Sequence, residues 1–202
     1  MKPFRALLIW AACAAAVLVP VAVAATSPLL AWREPVYIGA GFAGIIALAL
    51  VFVQPLLAGG YLPGLPMRRG RRVHRWIGGS LVIAVVLHVA GLWLTSPPDV
   101  IDALLFASAT PFSAWGVIAM WAVFATALLA VCRWSLRIRP RLWRLGHSAL
   151  ALGIVGSSVI HALLIQGTMD PVSKTVLCAL AVAAIVKVLI DLRTWALLKR
   201  RG

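Results

Sequence analysis

Apolar residues come along this chain in long blocks, and the polar residues gather between them. Six blocks stand out, at about residues 6–25, 36–57, 74–95, 114–133, 147–166 and 174–197. Each is about long enough to cross a ~30 Å hydrocarbon layer as an α-helix rising ~1.5 Å per residue. Lipid offers the backbone no hydrogen-bond partners, so a spanning segment must satisfy its own N–H and C=O groups, and helix is the expected form. The pattern predicts an all-α membrane protein, a bundle of six transmembrane helices. Pro20 and Pro55 are positions where the first two can kink. The connections are short and rich in Pro, Gly or Arg. None is long enough for a separate soluble domain, so residues 1–202 are expected to form a single unit.

Composition agrees. The chain is 63% hydrophobic and 12% charged, with a mean hydropathy of +1.01. A soluble domain cannot hide that much apolar surface. The net charge of +14 raises the possibility of a nucleic-acid partner, but the charges sit in short clusters between apolar blocks, as the flanking charges of membrane helices do. No nucleic-acid partner is expected.

The placement of those charges predicts an orientation. Lys2 and Arg5 precede the first block. Arg68, Arg69, Arg71, Arg72 and Arg75 precede or open the third. Arg133, Arg137, Arg139, Arg141 and Arg144 lie between the fourth and fifth, and Arg193, Lys199, Arg200 and Arg201 follow the sixth. Six crossings put all of these on one face, against Arg33 and Lys174 on the other. Basic residues accumulate on the cytoplasmic side, so both termini are expected there, in a multi-pass protein of a bacterial inner membrane. The start MKPFR and the later AVAAT also fit a signal peptide, but the apolar part is long for one and a retained first helix is preferred. Cys13, Cys132 and Cys178 lie in or beside apolar blocks without a C-x-x-C pair, as buried free thiols do.

The candidate chemistry lies in four histidines, His74, His88, His147 and His161. Each pair is spaced by fourteen residues. At ~100° per residue that spacing returns to within about 40° of the same helix face and rises roughly 21 Å. The third and fifth helices run parallel, so His74 is level with His147 and His88 with His161. Ionisable groups at membrane depth are costly and usually functional. Two imidazoles facing one another suit the two axial positions of a haem iron. Two haems are therefore expected, an inner one on His74 and His147 and an outer one on His88 and His161. Zinc fits less well, since each level offers only two ligands. Interhelical hydrogen bonding of the histidines is the plainer alternative.

Small residues near the ligands would let a flat macrocycle approach the backbone: Gly78, Gly79, Gly91, Gly153, Gly156, Ser157 and Ser158. Each also suits ordinary helix packing. Arg75 and Arg144 flank the inner ligands and could pair with propionates, or serve only as flanking charge. Gly39, Gly41 and Gly44 spell G-x-G-x-x-G, but inside an apolar block, with Gly64 where an acid would be needed, so helix packing is expected instead of nucleotide binding. Lys187 and Asp191 are spaced for an intrahelical ion pair.

At RRVHRWIGG…LH and LWRLGHSALA…IH the sequence resembles the ferric reductase-like transmembrane family, which includes the membrane parts of ferric reductases and NADPH oxidases and the haem-binding subunit of a bacterial methionine sulfoxide reductase system. The resemblance implies two b-type haems on paired histidines of the third and fifth helices, positions filled here by His74, His88, His147 and His161. Many of these relatives carry a flavin and nicotinamide module after the sixth helix. No such module follows the sixth block in this sequence, so likeness to the stand-alone subunits is expected.

The expected function is transmembrane electron transfer, as the membrane subunit of an oxidoreductase. Electrons would come from a cytoplasmic flavin reductase, with its FAD, or from a membrane quinol, and go to a protein or metal acceptor outside. The arginine-rich inner loops could dock an acidic flavoprotein or anionic membrane lipid. One alternative is direct reduction of ferric iron, another metal or oxygen at the outer haem. Another is a haem-free transporter or scaffold.

Overall fold

The structure, a computed structural model, describes residues 3–192. Among the described residues it contains seven α-helices, with one 3-10 turn (Pro28–Leu30) after the first: α1 (Pro3–Ala25), α2 (Pro35–Gly59), α3 (Met67–Thr95), α4 (Pro97–Leu104), α5 (Pro111–Cys132), α6 (Pro140–Leu164) and α7 (Pro171–Asp191). All but α4 are long and apolar enough to cross a membrane. The all-α, six-helix expectation holds. Lys2, Arg193, Lys199, Arg200, Arg201 and the end of the expected 174–197 block lie outside the described residues.

The helix boundaries follow proline more than hydropathy. Six helices open on Pro and α3 follows Pro66 directly. Proline suits a helix start because the N–H it lacks would have no intrahelical acceptor there, and its φ is already near helical. As a result α3 and α6 begin about two turns earlier than the apolar blocks at 74 and 147. The arginines before His74 and His147 lie inside helices, where long stems can cover apolar surface while the charge stays outside. The eight-residue α4 was not expected; it stacks on α3 and α5 across a turn. Pro20 and Pro55 both lie within unbroken helical segments.

Two antiparallel hairpins form the body of the bundle. In one, α2 packs along α3; in the other, α5 packs along α6. Helix α7 fills the angle between α2 and α6, while α1 rests outside on α2 and α7. The core runs where α2 and α7 meet and includes Leu48, Val51, Phe52, Leu177, Ala181, Ile185 and Val188. Lipid gives apolar side chains no reason to hide, so close approach through small residues holds such helices together. Ala181, fully buried on α7, and Gly91, buried against Ala40, are examples.

The arginine-rich starts of α3 and α6 share one end of the bundle, termed here the basic end. The end of α7 reaches it too: the Tyr61 hydroxyl, just past α2, donates to Asp191 Oδ2 at 2.5 Å. Lys187 donates to the same oxygen at 2.8 Å, forming the expected ion pair, and lies 4.8 Å from the Tyr61 ring centre. Trp10 of α1 donates to the Pro63 carbonyl at 3.1 Å in the same α2–α3 turn. At the far end Asp170 caps α7, accepting from Val172 and Ser173 N–H. Lys174, expected as a loop charge, is buried in the first turn of α7 and donates to the Ile165 carbonyl at 2.6 Å. Cys178 is buried, and Cys13 and Cys132 half-buried, all as free thiols.

Candidate functional site

Helices α3 and α6 scarcely touch through their backbones; their histidines reach across the space between them. At the basic end the rings of His74 and His147 lie 6.1 Å apart, centre to centre, with planes at 65°. At the far end His88 and His161 lie 6.5 Å apart, with planes at 79°. The fourteen-residue spacing has therefore brought the four rings together as two level pairs. Among the described residues no group of three or more histidine, cysteine or carboxylate side chains is placed to hold one metal ion.

Three of the four rings are steered by a carbonyl of the neighbouring helix in their own hairpin. His88 Nδ1 is 2.8 Å from the Ala40 oxygen on α2, and His161 Nδ1 is 2.8 Å from the Phe112 oxygen on α5. His74 Nδ1 is 3.1 Å from the Gln54 oxygen on α2. A carbonyl can only accept, so at His88 and His161 Nδ1 carries the hydrogen and Nε2 keeps the lone pair, whereas His74 Nδ1 also faces the side-chain amide of Gln54. The tautomer at His88 and His161 is that of a histidine prepared to bind a metal through Nε2.

The two far-end anchors are built alike. Gly44 follows Ala40 by one turn, and Gly116 follows Phe112 by one turn. A Cβ at Gly44 would lie 2.9 Å from His88 Nδ1, and one at Gly116 would lie 2.6 Å from the nearest atom of the His161 ring. Each imidazole reaches its carbonyl only because the residue one turn on has no side chain. The last glycine of G-x-G-x-x-G thus seats a histidine.

The basic-end pair is held differently. Gln54 presents its side-chain amide as well as its carbonyl to His74; turned so that its oxygen accepts from the Gly78 N–H at 2.7 Å, its nitrogen donates to the His74 carbonyl at 3.2 Å and lies beside Nδ1. His147 Nδ1 is buried with no hydrogen-bond partner among the described residues. Its ring lies on Trp143, one turn earlier, with centres 5.0 Å apart and planes within 15°. The Arg133 guanidinium lies over the Trp143 ring at 4.4 Å and over Trp134 at 4.9 Å.

The small residues divide into two groups. Gly78 packs on Gln54 and Gly91 on Ala40, so both serve helix contact. Ser157 is buried and turns its hydroxyl back to the Gly153 carbonyl. A Cβ at Gly79, Gly153 or Gly156 would meet nothing within 4 Å, and Gly79 and Gly153 lie on exposed faces of α3 and α6. Arg75 and Arg144 are exposed at the basic end; the arginine that reaches the histidine surroundings is Arg133.

The profile of the ferric reductase like transmembrane component family matches residues 40–158. The chain belongs to that family. The matched stretch runs from α2 into α6 and contains His74, His88 and His147, with His161 just beyond it. No curated protein and no solved structure gives a match. A ferric reductase-like transmembrane component is a multi-pass membrane protein, and membership points to membrane electron transfer or reduction as the general activity.

Sequence reasoning found the four histidines but missed what holds them. Gln54 was visible as an amide inside an apolar block, Gly116 as a glycine inside another, and Trp143 as an aromatic four residues before His147. None of these signals says which ring it meets until the hairpins are closed.

Proposed function

We propose that this chain is a di-haem electron-transfer component, with one b-type haem held by His74 and His147 and a second by His88 and His161. The observation that carries this reading is the pair of ring separations, 6.1 and 6.5 Å. A metal bound to two imidazole nitrogens at ~2 Å each leaves the ring centres about 6.5 Å apart. The donor set fits as well: the carbonyl-anchored rings of His88 and His161 keep Nε2 free. When bound, haem supplies reversible one-electron redox chemistry at each level.

The chain's own residues do the rest. Ala40 and Phe112 fix the tautomers of His88 and His161, whose rings reach them over Gly44 and Gly116, while Gln54 holds the plane of the His74 ring. The apolar faces of α3 and α6 keep water from the site. Arg75 and Arg144 stand where they could meet propionates. By the distribution of basic residues, the basic end faces the cytoplasm, where a flavoprotein or a quinol would donate; the far end faces an acceptor outside.

Purified protein tests this directly. A haemochrome assay is expected to give two haems per chain, falling to one on replacing His88 or His161 with alanine. A correctly folded preparation, supplied with haem during expression and lacking a Soret band, would overturn the proposal.

A further inference from the structure

We propose that Trp143 is a positioning residue for His147, and that Arg133 holds Trp143 in that task. The inference rests on the haem reading above and goes beyond it. Histidine χ2 is a broad torsion, so a ring keeps one plane only if something outside it sets that plane. His74, His88 and His161 each have a carbonyl at Nδ1 to do so. His147 has none among the described residues, yet it is as enclosed as they are. What it has is the indole of Trp143, lying nearly parallel at 5.0 Å.

A flat contact restricts rotation of the ring plane but leaves both nitrogens free. The indole is itself held, since the Arg133 guanidinium at 4.4 Å is drawn to its electron-rich face. Arg133 closes the end of α5, while Trp143 and His147 sit in the first turns of α6. The three side chains thus link the α5–α6 turn to the basic-end pair. The far-end pair has no counterpart: His161 meets Phe112 edge-on, at 68°, and is anchored by that residue's backbone.

The test compares full-length, haem-loaded variants by the low-spin electron paramagnetic resonance signals of the oxidised protein. His147→Ala and His161→Ala assign the two signals to their levels. Trp143→Leu keeps bulk but removes the flat face; it is expected to shift or broaden the basic-end signal and leave the far-end signal as an internal control. Trp143→Phe, which restores a flat face without the indole N–H, is expected to recover most of the original signal. Arg133→Met should move the basic-end signal in the same direction by a smaller amount.

An unchanged basic-end signal in Trp143→Leu overturns the inference. So do equal shifts in the Leu and Phe variants, which would place the effect on the N–H, and equal loss of both signals in Trp143→Leu and Arg133→Met, which would make the contact a general support of the fold. Wild-type protein without haem would instead defeat the functional proposal, so the two failures are distinct.

Discussion

The far-end and basic-end histidine pairs begin from the same sequence device, two residues fourteen apart on each of two parallel helices, yet they are held in different ways. At the far end both rings are tied to a carbonyl, and both ties pass over a glycine. At the basic end one ring has a carbonyl and an amide, and the other has only an aromatic face. A ligand's neighbours fix its tautomer, its plane and its basicity. Two sites with identical ligands can therefore differ in rigidity and electron donation through residues that never touch the metal.

The comparison breaks most visibly at the glycines. Gly116→Val forces a branched side chain into the space of the His161 ring, where a Cβ alone would approach to 2.6 Å. We expect retention of the far-end haem to weaken by roughly ten- to a hundredfold, the range typical for loss of a ligand's outer support, so that purified protein carries about one haem instead of two. Gly44→Val should do the same through His88, and Gly44→Ala, with a looser approach of 2.9 Å, should be milder than Gly116→Ala. Haem-to-chain ratios and the separate low-spin signals measure this. Loss of the basic-end signal first would reverse the comparison.

A smaller effect is expected on the other side of it. Gln54→Leu leaves the carbonyl that meets His74 but removes the amide that joins His74 and Gly78. The cost should be about 1 kcal/mol, the usual net value of one hydrogen bond, seen as a lower thermal midpoint and a shift confined to the basic-end signal. A matching shift at the far end would show the two levels to be coupled.

The smallest effect should leave both pairs alone. Burial, together with hydrogen bonding to Asp191 and its charge, pushes the Tyr61 hydroxyl up from 10 to about 12. A raised value in the fold means that the neutral form is favoured. Its contribution is fully present below pH 10 and is lost as pH rises through about 12. Thermal stability should be flat through neutral pH and decline across that alkaline window, and Tyr61→Phe should lower the neutral-pH midpoint slightly and flatten the decline. A change in either low-spin signal in Tyr61→Phe would tie this corner to the site, against expectation.

The sequence made the pairing of the four histidines legible because periodicity is local: fourteen residues along one helix return to one face whatever surrounds it. The helix count was legible for the same reason, since hydropathy reports what lipid requires of a segment. Helix starts were less so, because Arg68 to Arg72 and Arg141 to Arg144 look like loop by hydropathy although a helix starts just before each, directly after Pro66 and at Pro140. Least visible were the supports. That Gly44 faces His88 and Gly116 faces His161 depends on how two helices rotate against each other, and a single chain of letters does not carry that rotation.

Every one of these supports comes from the same hairpin as the ring it holds. The α2–α3 unit orients His74 and His88 with its own carbonyls, and the α5–α6 unit orients His147 and His161 with its own turn and backbone. During synthesis the α2–α3 unit can finish its half of the work before the α5–α6 unit has left the ribosome, and the second needs nothing from the first to build its own. Only the seam where the two halves meet remains to be closed, and a large planar guest can be admitted there without undoing either half.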